Sequence, residues 1–347
     1  MTAAPMRRRT PLPGISSRAW EHPADRGALV ALRKLKGFDT VLKAVVGLVN
    51  ERAVRLAFLG TAVRVDERQF PDLHYALLDV ASVLDATGEG SGLGTELPEM
   101  FVVADPTINA FTIGIKKPFI VLTSGLVALL DSDERRFVVA HELGHALSGH
   151  ALYQTLLMRL ISLSGVLNAV PVGGLAIRGI IAALNEWSRK SELSADRAAL
   201  LATQDPAIAL RVHMQTASGG HLADLDPTSF QAQGQEYLGA GGLRDSVLKM
   251  LLVENASHPF AVVRAAELRR WIETGEYARF VGGGYPRRID DAEASMSSAA
   301  KDAAASYTEA FGNATDTIGG LVHDVAGYAG TAKVWLDEQL RKRRGPL

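Results

Sequence analysis

Apolar residues recur at intervals of three and four over Phe70, Leu73, Leu77, Val80 and Leu84, a spacing that predicts an amphipathic helix with one buried face. A Gly-rich loop over 86–99 follows. Three short apolar runs come next, Met100–Ala104, Phe111–Ile115 and Phe119–Leu122, with the length and the aromatic and β-branched content of strands. From there to about residue 280 helical spacing dominates. Within it, Phe137-Val138-Val139-Ala140 and Ala146-Leu147 flank a polar interruption, and Asp131-Ser132-Asp133-Glu134 reads as the cap and acidic first turn of the same helix. Upstream, residues 28–65 are helix-compatible with room for a strand. The pattern predicts an α+β protein, predominantly helical, with a small mixed sheet packed beside a helical body.

The ends differ from the middle. Residues 1–27 are rich in Pro and Arg and are expected to form a poorly ordered tail. Arg7-Arg8-Arg9 is followed by Thr10-Pro11-Leu12-Pro13-Gly14, where an export signal needs an apolar stretch, so the start of the chain is expected in the cytoplasm. No charge interrupts Leu160 to Ile177, which reaches the ~18-residue length at which a membrane span is suspected. Pro171 and the polar Ser162, Ser164 and Asn168 instead suit two short helices in a buried hairpin, with membrane contact through 160–177 as the alternative. Past Gly282-Gly283-Gly284-Tyr285-Pro286 the composition turns to Ala, Ser, Thr, Gly and Asp. Its sparse apolar positions, among them Tyr307, Phe311 and Leu321, predict an amphipathic helical appendage over 287–347 that docks on the body, lies on a membrane surface or binds a partner helix. Residues 28–286 are expected to form one large domain.

Composition narrows the function. A chain of 347 residues with 47% hydrophobic content can bury a substantial core. Its formal charge of -1 gives no reason to expect a nucleic-acid partner. With no cysteine, disulfides, thiolate nucleophiles and Cys-based metal sites are all excluded.

The polar interruption is His141-Glu142-Leu143-Gly144-His145. Residues four apart on a helix are neighbours, so His141 and His145 can reach one ion, while Glu142 leaves at another angle and suits a general base toward an activated water. Two imidazoles and a carboxylate are costly to bury in so apolar a helix without a partner, and a metal is the simplest one. Catalytic zinc takes three protein ligands, so a third donor is required. Ser191-Glu192-Leu193-Ser194-Ala195-Asp196 offers two acids at i and i+4 on a helix ending before Pro206. The small Ser191, Ser194, Ala195, Ala198 and Ala199 let that helix come close, so that Glu192 ligates Zn2+ and Asp196 accepts a hydrogen bond from a ligand imidazole.

On these motifs the chain resembles the zinc metallopeptidase family of HtpX and the type I CAAX prenyl proteases, in the gluzincin group. Glu192-Leu193-Ser194-Ala195-Asp196 matches the segment of the family's third ligand, one residue shorter between its acids than the loose form of that pattern. Asn109-Ala110-Phe111 and Pro118 to Leu126 resemble the strand pair before the family's active-site helix, and Ser257-His258-Pro259-Phe260 with Arg264 and Glu267-Leu268-Arg269 its closing His-Pro and Arg segment. The resemblance implies a zincin-like helical body, one zinc ion, and protein or peptide substrates cleaved with Glu142 as base, in protein quality control as for some relatives.

Further expectations attach to single residues. His258, then Arg264, is the candidate for stabilising the negative charge that builds on the scissile carbonyl. Asn109, Ala110 and Phe111 are the candidate edge for an added peptide strand. His150 lies about 140° further round a continuous helix from His145 and is expected to be an ordinary surface or cap residue. His213, His221 and His323 have no spacing that implies ligation. A second class of function stays open: a non-catalytic, chaperone-like or peptide-binding module that kept the fold and the metal.

Overall fold

The computed structural model describes residues 9–35, 38–48, 50–167, 173–239 and 260–308. Three helices open the chain, α1 (Pro23–Arg33), α2 (Phe38–Leu48) and α3 (Glu51–Thr61), followed by β1 (Ala62–Arg64) and α4 (Pro71–Val83). Strands β2 (Met100–Val103), β3 (Ala110–Ile113) and β4 (Phe119–Thr123) lead through α5 (Ser124–Leu129) into α6 (Ser132–Leu147). Then come α7 (His150–Leu167), α8 (Gly173–Thr203), α9 (Pro206–Ser218) and α10 (Pro227–Gly239), and after the undescribed 240–259, α11 (Ala261–Glu273) and α12 (Glu276–Val281). The expected helix-dominated α+β architecture is the one observed.

The strands form one mixed sheet in the order β1-β2-β4-β3. β2 and β4 run parallel with Phe101 opposite Val121, while β3 is antiparallel to β4 with Thr112 opposite Ile120. β4 is buried along its whole length, as a central strand covered on both faces must be. β3 is left at the edge, and its residues alternate: Ala110 belongs to the main core and Ile113 and Phe111 to the cluster on the other face.

The main core fills the space between one sheet face, α4, α6 and α8. Leu73, Leu77, Val80 and Leu84 lie in it as the periodicity predicts. Phe70 does not: it caps α4 at φ 53° and is largely exposed, because Pro71 starts the helix after it. A second cluster joins α1, α2, α7 and the first half of α8, around Trp187, Tyr153 and Leu32.

Two expectations are corrected, and one open alternative is decided for the described part of the appendage. Residues 9–27 are not a loose tail: Leu12, Ile15, Ala19 and Trp20 are core residues, and Ile15 bridges to Arg287. The Pro and Arg content suggested disorder, but the apolar residues between the prolines find a tertiary surface. Of the appendage, the described part docks on the body: Tyr307 is buried beside α8, its hydroxyl donating to the Ala183 carbonyl. Residues 309–347 lie outside the described residues. Finally, the elements flanking Pro171 are long helices, 18 residues in α7 and 31 in α8, so that α8 itself carries Glu192 and Asp196. Among the described residues no helix is long and apolar enough to cross a membrane.

Candidate metal centre

α6 begins with a capping box. The Asp131 side chain accepts from the Glu134 backbone amide, and the Glu134 side chain accepts from the Asp131 backbone amide. Ten residues on, the helix faces α8 at Gly144. A Cβ built on Gly144 would lie 2.7 Å from the Ala198 Cβ, so glycine at this point and alanine opposite let the two backbones approach. That approach brings Glu192 to the two histidines.

The donors converge. His141 Nε2 and His145 Nε2 are 3.2 Å apart, with Glu192 Oε2 3.3 Å from the first and Glu192 Oε1 3.3 Å from the second. All three side chains are buried. A shared proton satisfies one edge of such a triangle, whereas a cation satisfies three. Ligand bonds of about 2.0–2.1 Å at tetrahedral angles put donor atoms about 3.3 Å apart, close to the spacing of the two imidazole nitrogens and of each from its nearer Glu192 oxygen, so the donor set fits a zinc ion. Among the described residues this is the group of His, Cys and acid side chains placed to hold an ion.

Charge points the same way. Glu142, Glu192 and Asp196 are buried, with Arg264 paired to Glu192 and Asp196; three carboxylates against one guanidinium leave negative charge that a bound cation, or without one a proton on His141, offsets. Burial works against a charged His141, yet its bonds to Asp196 and Glu192 hold it at about 9, while burial keeps His145 below its ordinary value. Burial would raise the Asp196 carboxyl, but Arg264, His213 and the bond to His141 outweigh it and hold it well below the usual carboxylate range.

Behind the donors, His141 Nδ1 is 3.0 Å from Asp196 Oδ1, which orients the ring with Nε2 toward Glu192 and His145. Arg264, on α11, donates from Nε and Nη2 to both Asp196 oxygens at 2.7 and 2.6 Å, and its Nη1 lies 3.1 Å from Glu192. Its guanidinium thus grips the two acids, a different use from the carbonyl-facing donor expected. His258 lies outside the described residues. Glu142 accepts a 2.7 Å bond from the Thr112 hydroxyl on β3, which ties the carboxylate to the edge strand.

A cavity of about 280 Å³ opens on this group, lined by Asn109, Ala110, His141, Glu142, His213 and Arg264 among others. Asn109 and Ala110 therefore stand where the cleft meets the edge strand, and Phe111 turns to the opposite sheet face. A larger cavity of about 670 Å³ lies on that opposite face, against Phe58, Phe111 and Phe119. It contains none of the donor set, so the chemistry belongs to the smaller one.

The sequence model of Peptidase family M48 matches residues 67–272, more than half of the chain and every residue of this centre described so far. The chain belongs to peptidase family M48. It is 34% identical over 268 residues to the chloroplastic plastoglobule-localized metallopeptidase 48 of Arabidopsis thaliana, covering 74% of this chain and 73% of that protein. It is also 26% identical over 278 residues to protease HtpX of Xanthomonas oryzae pv. oryzae, covering 72% of this chain and 88% of the relative. No solved structure matches. Membership makes this M48 chain a metallopeptidase, acting on proteins or peptides.

Some residues at the M48 centre carry no linear signal. His150 is buried with its Nδ1 2.9 Å from His145 Nδ1, where a surface or cap residue was expected. The helix is not continuous there: α6 ends at Leu147, Gly149 takes φ 70°, and α7 starts at His150, which swings the ring back toward His145. A glycine four residues after a helical histidine was the available hint. His213 lies buried 3.6 Å from Asp196, and burial lowers its pKa to about 4, so it is neutral at neutral pH. Thr112 on its short strand had no signal at all.

Proposed function

We propose that this M48 chain is a zinc-dependent endopeptidase with Glu142 as general base. The convergence of His141, His145 and Glu192, with His141 and Glu142 both lining the cleft, carries the reading. His141, His145 and Glu192 would hold the zinc ion, which when bound would supply Lewis-acid polarisation of the carbonyl and a more acidic water. The Glu142 carboxylate takes the proton of that water as it attacks and hands it to the departing amide nitrogen. Thr112 holds the carboxylate in place through Oε2. Arg264 and Asp196 position the ligands and hold the centre's charge. His258 keeps its proposed place as donor to the developing oxyanion.

Substrates enter as an added strand. β3 is the sheet edge beside the cleft, and pairing with Asn109, Ala110 and Phe111 accepts an extended chain in mid-sequence, which favours internal bonds over chain ends. With unfolded chains as substrates, protein quality control is the proposed setting. Membrane-surface contact through 160–177 or the appendage rests largely on positions outside the described residues.

Zinc content and peptide-library cleavage, compared between wild type and Glu142→Gln, test the proposal. The expected result is one zinc per chain in both and a fall in cleavage of at least about a hundredfold in the variant. Metal in both chains without any Glu142-dependent cleavage would refute catalysis and favour the binding-module reading.

A further inference from the structure

The hydrogen-bonded chain that starts at His145 leaves the family-matched region. His145 Nδ1 meets His150 Nδ1 at 2.9 Å, and His150 Nε2 meets Asp25 Oδ2 at 3.1 Å. Asp25 is on α1, outside residues 67–272, and is itself buried. Its oxygens also accept from Trp187 Nε1 at 2.9 Å and from Ser194 Oγ at 2.6 Å, and the backbone amide of His22 donates to that same Ser194 oxygen at 2.9 Å.

The proton positions along this chain follow from one condition. A His145 that presents its Nε2 lone pair to the donor triangle carries its proton on Nδ1. It then donates to His150 Nδ1, which must accept. The His150 proton is consequently on Nε2, where it donates to Asp25. Every link has one donor and one acceptor, and the carboxylate ends it.

We propose that His150 and Asp25 are positioning residues of the metal centre, and that the N-terminal segment carrying Asp25 is part of the zinc site. This inference rests on the zinc reading above. His141 has Asp196 to fix its tautomer; His150 and Asp25 do the same for His145, whose other neighbour at Nδ1 is the Gln154 amide at 3.3 Å. Partners of this kind orient a ligand ring and raise its basicity, and their loss typically weakens metal affinity by about 10- to 100-fold.

Zinc affinity of the full-length chain, measured by competition with a chromophoric chelator, tests it, with circular dichroism as the fold check. His150→Gln keeps an oxygen to accept from His145 and an amide to donate to Asp25, and should hold zinc within about threefold of wild type. His150→Phe and Asp25→Leu keep similar bulk without those functions and should weaken binding about 10- to 100-fold. His150→Leu, close to Gln in size and without polar atoms, should lose affinity as His150→Phe does, so that a split between the Gln and Leu variants reports hydrogen bonding and not packing. Wild-type affinity in His150→Phe would overturn the proposal, as would a loss confined to Gln154→Leu, which would assign the role to Gln154. A wild-type chain that binds no zinc would instead refute the metal reading itself.

Discussion

Replacing Gly144 with alanine adds one methyl group between the two helices that make the centre. The new Cβ would lie 2.7 Å from the Ala198 Cβ, against about 3.5–4.0 Å for a relaxed carbon contact, so α6 and α8 must separate by about 1 Å. Overpacking of this kind costs about 1–3 kcal/mol, while alanine in a helix interior gains about 1 kcal/mol over glycine. The net loss of stability is therefore small. The donor triangle is far less tolerant: its edges are 3.2–3.3 Å, and a metal site accepts errors of about 0.2 Å in ligand distance. Gly144→Ala should thus lose zinc affinity by at least about tenfold while shifting the unfolding free energy by no more than about 2 kcal/mol. Ala198→Gly in the same chain removes the opposing methyl and should restore binding. Chelator competition and urea unfolding on the two variants measure both quantities. Wild-type affinity in Gly144→Ala, or no recovery in the double variant, would refute the claim that this helix contact sets the position of Glu192.

Two other outcomes follow from the same structure. The Asp196 carboxyl is held below its ordinary range, so the stability it contributes is fully present above its unfolded pKa of about 3.9 and is lost as pH falls through its lower folded value. Urea unfolding of chelator-treated wild type and Asp196→Asn should differ by about 3–5 kcal/mol from neutrality down to about pH 5, with the gap closing below about pH 4; a gap independent of pH would contradict the ion pair with Arg264. Truncation after Pro286 removes Tyr307 from the core, the Arg288 pair with Asp85 and the Asp291 contacts to Ser16 and Arg18. Loss of a buried aromatic of this size costs about 3–5 kcal/mol, so the midpoint of thermal unfolding should fall; an unchanged midpoint with higher activity would show instead that the appendage acts as a plug.

Much of this protein was legible from the order of its residues, because the signals were local. Helix periodicity, the capping box at Asp131 and the strand runs each lie within a few positions of what they determine, and His141, Glu142 and His145 share a helix by spacing alone. Glu192 and Asp196 were reachable too, since the required third ligand and the small residues around them limited the choice. Tertiary structure decided what is distant in sequence or broken in backbone. Leu12 and Trp20 are buried because the rest of the chain provides a surface, which no property of a Pro- and Arg-rich segment encodes. Arg264 lines the cleft, yet its guanidinium is committed to Asp196 and Glu192, partners that only the packing of α11 against α8 brings within reach. His150 rejoins His145 through one residue at positive φ, and Asp25 meets Ser194 across 169 positions. Local patterns specify elements, whereas the partners of a buried polar group depend on which elements pack together.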